Sequence, residues 1–462
     1  MGKTETKRKK PLGKHPPSMD SLLSDPAAAE ALEIYGRTAV KEEVRAAIAG
    51  GETARHAILG RARTTLSRRF SPRLRPAINA TGILLHTNLG RAPIGRSARE
   101  ALLAISSGYS TLEYEAVSGE RGRRQDHVES GIRDLFAGAE GIAVNNNASA
   151  VFLALSALAR GRRVLVSRGE LVAIGGSFKI PDILEASGAI LSEVGTTNRT
   201  TIADYRRAIS PDVALLLTVH PSNYEIRGFT ERPQAGDIAR LARESRIPWL
   251  HDQGTGCIEP LDEFGVPDEP TVASCLAEGA DLVTFSGDKL FGGPQAGILV
   301  GRADLVAQAA AHPVARVVRP DKLTLAALSA TLTDWKTGHW RDLPIYRAAA
   351  ADLPSLERRG QVICDSAHPA ADALEIRVAP SKALFGGGTS PEKPFESRAL
   401  RVSHPLWDAS TLARHLRERE VPIVGRVEEA YLWLDLRSVP PEEDSAVAAA
   451  LVQLAAMRES AR

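Results

Sequence analysis

Ser286-Gly-Asp-Lys289-Leu-Phe-Gly-Gly-Pro294 follows directly on the apolar run Leu282-Val-Thr-Phe285, and the reading of the chain turns on this join. A short apolar run that stops at glycines has the pattern of a buried strand running into a tight turn. A lysine at that junction is partly desolvated, which lowers the pKa of its amine and makes it a nucleophile. The glycines let the backbone approach a ligand closely. Ser286, three residues before Lys289, is placed for a phosphate contact. Taken alone the S-x-x-K spacing is weak, because an ordinary surface lysine fits it equally well.

Working outward, strand-like runs alternate with Ala-rich helical stretches from Pro76 onward. The runs are Val164-Leu-Val-Ser, Ala214-Leu-Leu-Leu-Thr-Val, Pro248-Trp-Leu-His-Asp, Leu282-Val-Thr-Phe-Ser and Ala296-Gly-Ile-Leu-Val. The helical stretches include residues 148–159 and 238–244. This alternation predicts an α/β domain with a largely parallel sheet, whose ligands lie at the carboxyl ends of the strands. From about Trp335 the pattern changes to period-two alternation in Leu374-Glu-Ile-Arg-Val-Ala, Arg398-Ala-Leu-Arg-Val and Tyr431-Leu-Trp-Leu-Asp-Leu, with a helix over 409–420. That reads as a smaller α+β domain. Before Pro76, helix starts at Ser18, helical spacing over 27–48 and an Arg-rich helix over 53–70 indicate a small helical module. The domain boundaries are therefore 1–75, 76–334 and 335–462.

Two further stretches give Lys289 its chemistry. His251-Asp252-Gln-Gly-Thr-Gly ends the strand before it, and a carboxylate at that place suits a pyridine nitrogen that must stay protonated. Val144-Asn-Asn-Asn147-Ala148-Ser149 precedes a helix, where N–H groups and the helix dipole suit a phosphate. An N-capped turn explains the asparagines equally well, and the phosphate reading needs that turn too. Phosphate cradle, then Asp after a strand, then Lys after a strand, is the chain order of fold type I enzymes that use pyridoxal 5′-phosphate (PLP). Asn147, Ala148, Ser149, Asp252, Ser286 and Lys289 are the expected cofactor contacts, with Lys289 catalytic.

Composition excludes other classes. With 43% hydrophobic and 25% charged residues the chain is an ordinary globular one, and no apolar run is long enough for a membrane span. The N-terminal MGKTETKRKKPLGKHPP lacks the apolar centre of a secretory signal and, over residues 1–17, reads as disordered. Cys257, Cys275 and Cys364 are far apart, which fits neither a disulfide framework nor a metal site; no metal is expected, and a reducing cytoplasm is the simplest location. Residues 1–75 carry sixteen Lys and Arg against eight Asp and Glu, net +8, so the rest of the chain carries −6. Such a segment suits a polyanion, or is simply a solvated helical surface with a Lys-rich tail.

Longer motifs carry a resemblance. They are Ile78-Asn-Ala-Thr-Gly-Ile-Leu-Leu-His-Thr-Asn-Leu-Gly-Arg91-Ala-Pro, Tyr114-Glu-Ala-Val-Ser-Gly-Glu-Arg-Gly-Arg-Arg, Val194-Gly-Thr-Thr-Asn-Arg, His220-Pro-Ser-Asn-Tyr and the Lys289 stretch. In these the chain resembles the bacterial selenocysteine synthases, the L-seryl-tRNA(Sec) selenium transferases. Pro17-Ser-Met-Asp-Ser-Leu-Leu through Glu33-Ile-Tyr-Gly-Arg resembles, more weakly, that family's tRNA-binding domain.

The resemblance implies an aspartate aminotransferase-like fold type I transferase with a large parallel-sheet domain, a small C-terminal domain and a helical N-terminal domain. It implies PLP as cofactor and seryl-tRNA(Sec) as substrate, whose serine α-amino group displaces Lys289. Loss of the α-proton and hydroxyl then gives an aminoacrylyl intermediate, to which selenophosphate adds to form selenocysteinyl-tRNA(Sec). Arg91, Arg316 and Arg319 match the family's anion-binding arginines, and a planar guanidinium suits a phosphoryl group. A cytoplasmic homo-oligomer of dimer units, a decamer, is also implied. The sequence departs from the family at Ser149, where alanine is usual, and at Gln253 and Thr255, where leucine and serine are usual.

Arg398 and Arg401 lie where a free α-carboxylate could be held, which leaves room for a PLP lyase acting on a free amino acid or amino sugar. A tRNA-binding protein on a vestigial PLP fold is the non-catalytic alternative.

Overall fold

The computed structural model describes residues 15–174, 178–222, 224, 226–367, 374–386, 389 and 394–456. Most of the Lys-rich stretch 1–17, and Asn223 of the His220 motif, lie outside them. The chain separates into two compact units, Met1–Pro76 and Ala77–Arg462.

In the first unit, Ser18 caps α1 (Met19–Leu23) and Asp25 caps α2 (Pro26–Ala49), with Pro26 in the first turn, where its missing N–H costs nothing. Gly36, at φ 76°, interrupts α2, so the single helix expected over 27–48 is two helical pieces joined at a bend. Glycine enters that backbone region without a Cβ clash. α3 (Arg55–Phe70) packs Ile58, Leu59, Ala62 and Leu66 against Val40, Val44 and Ala47.

The second unit is built on seven strands: β1 (Glu140–Val144), β2 (Arg163–Ser167), β3 (Ile190–Val194), β4 (Val213–Val219), β5 (Trp249–Gly254), β6 (Leu282–Ser286) and β7 (Gly297–Gly301). Their order is β1-β7-β6-β5-β4-β2-β3. β7 runs antiparallel to β1 and β6, and the other pairings are parallel. Strands covered on both faces read as continuous apolar text, which is why their positions are visible in sequence. Helix α4 (Asn147–Leu158) follows β1 and buries Val151, Leu153 and Leu155 on the sheet.

Further on, β8 (Glu375–Ala383), β9 (Phe395–Ser403), β10 (Arg426–Glu428) and β11 (Tyr431–Asp435) form an antiparallel sheet in the order β8-β9-β11-β10. The helices Leu353–Ala367, Ala409–Arg417 and Asp444–Ala456 pack on it.

The join between β7 and α4 depends on Gly297: a Cβ there would stand 2.1 Å from the carbonyl oxygen of Asn146. Gly297→Ala is expected to destabilise the protein by about 1–3 kcal/mol, as overpacking against fixed backbone does. The midpoint of chemical denaturation measures this.

Candidate active site

Lys289, Asp252 and Asn147 come from three separate strand ends and meet at the carboxyl edge of the seven-stranded sheet. Asp252, on β5, is 4% exposed, and its Oδ1 accepts hydrogen bonds from Asn147 Nδ2 at 2.8 Å and from Thr284 Oγ1 at 3.1 Å. Burial raises its pKa above the ordinary carboxylate value, while the Asn147 bond, the charge of Lys289, the Thr284 bond and His220 oppose that rise. His251, beside it, is driven down to about 3 by burial and then by His220, and its Nδ1 is bonded with Thr218 Oγ1 at 2.8 Å. It is a neutral ring at physiological pH.

Lys289 is 6% exposed, and burial, then the nearby Arg91 cation, lowers its amine pKa; Asp252, Asp288 and Glu269 pull the other way. Its turn is tightly fastened. Leu290 N donates to Thr255 O at 2.9 Å, and Gly287 N to Ala296 O at 2.8 Å. Tyr346 Oη donates to Leu290 O at 2.6 Å, and Trp335 Nε1 to Phe291 O at 2.9 Å. Gly256, at φ 71°, completes the fit, because a Cβ there would lie 2.5 Å from Ser286 O.

At the start of α4 the Asn146 side chain accepts from Ser149 N at 2.8 Å, capping one of the N–H groups that a first helical turn leaves unpaired. Asn147 Oδ1 is buried without a hydrogen-bond partner among the described residues. An orphaned acceptor beside a buried carboxylate and a buried amine is what a bound polar ring would complete. Ser286, 6% exposed, ends β6.

The three arginines fall in different places. Arg91 is held in the left-handed region (φ 62°), strained for a residue with a Cβ, and pairs with Asp288 at 2.9 Å, next to Lys289. Asn145 N donates to Val318 O at 2.9 Å, which brings the segment carrying Arg319 against the loop before α4. Arg319 Nη1 lies 3.4 Å from Glu113, whose carboxyl is held at about 2 by Arg124 and then Arg121. Arg316 is exposed on the helix Pro313–Val317 and forms no ion pair with another described residue. Arg398 pairs with Glu357 at 2.6 Å and Arg401 covers the Tyr431 ring, so each has a partner within its own part of the fold. Cys257 and Cys275 are buried, with thiols pushed well up and to about 12 respectively; Cys364 is half-buried.

Sequence reasoning did not find Thr284, Asp288, Glu269 or the part played by His220. Asp288 stands inside the quoted lysine stretch and could have been found as a carboxylate next to the amine. Thr284 is hidden within an apolar strand, and Glu269 lies in a loop with no pattern around it.

Residues 77–440 match the family described as L-seryl-tRNA selenium transferase, and residues 17–49 match its separate N-terminal family, selenocysteine synthase N terminal. The chain belongs to the L-seryl-tRNA selenium transferase family. It is 41% identical over 439 residues to the L-seryl-tRNA(Sec) selenium transferase of Carboxydothermus hydrogenoformans, covering 92% of this chain and 94% of that one. It is 42% identical to the protein of the same name from Aquifex aeolicus, over 83% and 85% of the two chains. Among solved structures, D-glucosaminate-6-phosphate ammonia-lyase superposes with a TM-score of 0.58 at 19% identity, covering 85% of this chain and 98% of that one. That likeness is one of fold, and the expected fold type I α/β architecture is present.

The amine of Lys289 should lose its proton below the ordinary lysine value of 10.5. Acylation of the cofactor-free protein, followed by peptide mapping across pH, should label Lys289 at a lower pH than surface lysines. Arg91→Ala should move that labelling to higher pH, because it removes a neighbouring cation.

Proposed function

We propose that this chain converts L-seryl-tRNA(Sec) to L-selenocysteinyl-tRNA(Sec), with selenophosphate as the selenium donor and pyridoxal 5′-phosphate carried on Lys289. The observation that supports this most is the buried meeting of Lys289, Asp252 and Asn147, whose Nδ2 binds Asp252 and whose Oδ1 is left without a partner among the described residues. Bound there, the cofactor supplies an electron sink for loss of the serine hydroxyl and its replacement by selenium.

The chain's own residues do the rest. Asp252 would face the ring nitrogen, and Asn147, Ala148, Ser149 and Ser286 would hold the phosphate. Lys289, buried and with a lowered pKa, is suited to move the proton at the serine α-carbon. Arg91, Arg316 and Arg319 would receive the anionic donor; Arg91 and Arg319 must then exchange Asp288 and Glu113 for it. Residues 76–334 are taken as the cofactor domain and 335–462 as the small domain.

We assign tRNA binding to residues 1–75, whose net charge of +8 suits a polyanion. Part of that charge is neutralised internally: Arg55 pairs with Asp25 at 2.8 Å, Arg61 with Glu52 at 3.7 Å and Arg69 with Glu43 at 3.1 Å. Arg63 and Arg68 form no ion pair with a described residue and are among the cations offered to phosphate. The enzyme works as a homo-oligomer of dimers, a decamer, in the cytoplasm. Tyr109 and Val117 are fully exposed apolar side chains that a partner copy would cover. No helix among the described residues is long and apolar enough to cross a membrane.

An absorbance spectrum tests the assignment. The protein should show a visible cofactor band that Lys289→Ala abolishes, and the band should shift with seryl-tRNA(Sec) but not with free serine. A response to a free amino acid instead would move the reading to a lyase. No band after added cofactor would leave a tRNA-binding protein.

Affinity for tRNA should fall steeply with salt through counterion release, and removing residues 1–75 should flatten that dependence. Filter binding over a salt series measures both.

A further inference from the structure

Beside the cofactor cluster the second unit holds a cavity of about 700 Å³ that the proposed reaction has not used. It lies where the segment after Pro76 crosses the small antiparallel sheet: Leu84 N donates to Leu384 O at 2.9 Å and Leu85 N to Phe385 O at 2.7 Å. Its walls include Gly82 and His86 from that segment, Lys382 from β8, Glu396 from β9, Arg426 from β10 and Trp433 from β11. The same segment leads on to the lysine. The His86 carbonyl accepts from Arg91 N at 3.1 Å, Ala92 N donates to Asp288 O at 3.2 Å, and Arg91 pairs with Asp288, the residue before Lys289. One turn of chain therefore separates the cavity wall at His86 from the Lys289 turn.

A cleft of this size is within the range of small-molecule sites, about 300–1,000 Å³, but solvent fills such clefts too. The charges of this one are more informative. Its guanidinium is already committed: Arg426 donates from Nη1 to Thr81 O at 3.0 Å, from Nη2 to Ser381 Oγ at 2.6 Å and from Nε to Glu428 at 3.2 Å. Nη1 also lies 3.5 Å from Asp435, which is fully buried and accepts from Ser381 at 2.5 Å and Ser397 at 2.7 Å. Gly82, at φ 80°, packs on this pair, where a Cβ would stand 3.0 Å from the Asp435 carboxylate. Lys382 forms no ion pair with another described residue, and it shares the cavity with Glu396, Glu428 and Glu429. A free carboxylate or a phosphate entering here meets acids that outnumber the uncommitted cation. A neutral group rich in hydroxyls instead gives those acids donors to accept. Trp433 adds an aromatic surface, fixed by its Nε1 on Glu428 O at 3.2 Å. His86 adds Nδ1, a buried nitrogen without a hydrogen-bond partner among the described residues.

Serine carried on a tRNA is esterified to the terminal adenosine, so a serine presented to Lys289 brings a neutral nucleoside with it. We propose that this cavity takes that adenosine, with the base against Trp433 and a ribose hydroxyl on Glu396. The inference rests on the seryl-tRNA reading above. It adds how the ester is chosen over the free amino acid: the nucleoside gains contacts, while a free α-carboxylate on this side would face Glu396, Glu428 and Glu429.

Calorimetric titration of the full-length protein, cofactor-free and loaded with pyridoxal 5′-phosphate, tests this with two stable probes. One is 3′-(L-serylamino)-3′-deoxyadenosine; the other is L-serinamide, which lacks the nucleoside. The visible band of the loaded protein is read alongside and reports folding of the variants. The adenosine probe should bind at least about tenfold tighter than serinamide, as stacking of one base on one aromatic ring gives. Trp433→Ala should bring the adenosine probe down towards the level of serinamide, and Trp433→Phe should restore the difference. Glu396→Gln should reduce it by a smaller factor. Equal affinity for the two probes, or a difference that Trp433→Ala leaves intact, would overturn the proposal. Should Trp433→Ala fail to fold, the exposed Glu396 decides through Glu396→Gln. An adenosine probe that binds through Trp433 yet leaves the band unmoved upholds the cavity assignment and defeats the catalytic reading. A band that moves equally with both probes does the reverse.

Discussion

The carboxylate of Asp252 is the point on which the second unit depends. Its Oδ1 collects Asn147 from the start of α4 and Thr284 from the middle of β6, so residues 147, 252 and 284 are pinned at a single atom. A buried charge without partners costs several kcal/mol, and removing one partner leaves the others to bear that cost. The strand order serves the same end. Placing β6 beside β5 puts Thr284 opposite Asp252 in register, and the return of β7 along β6 carries Gly297 under the loop that begins α4.

Much of this was legible in the sequence, and the reason is burial. β2, β4, β5, β6 and β7 sit between helical layers, so each carries a short apolar run, and the expected and observed spans differ by a residue or two at the ends. Lys289 and Asp252 could be read because each interrupts apolar text at a strand end. Side-chain direction was harder to read. Arg398 and Arg401 are both on β9, yet one reaches Glu357 and the other Tyr431, and nothing in a period-two pattern says which partner each finds. The bend at Gly36 was missed because the apolar spacing continues through it. Thr284 and Glu269 were missed for opposite reasons: one is a polar atom inside an apolar strand, the other an acid in a loop without periodicity.

The first unit shows the limits of counting charges. Its excess of arginine is real, but α3 spends part of it on Asp25, Glu52 and Glu43, which hold the helices together. Exposed ion pairs of this sort contribute at most about 1 kcal/mol each and weaken with salt. The cations left over are therefore a better guide to a polyanion's path than the net charge.

The fastening of the Lys289 turn has a consequence for its motion. Bonds to Thr255, Ala296, Tyr346 and Trp335 come from four different segments, so no small local opening can release the turn. Its amide hydrogens should exchange with solvent only through the rarest, most extensive openings of the fold. The helix Pro313–Val317 contains no fully buried residue and Val317 is 80% exposed, so fewer contacts oppose its local opening. The turn proposed to carry the cofactor is thereby among the most firmly fastened parts of the molecule.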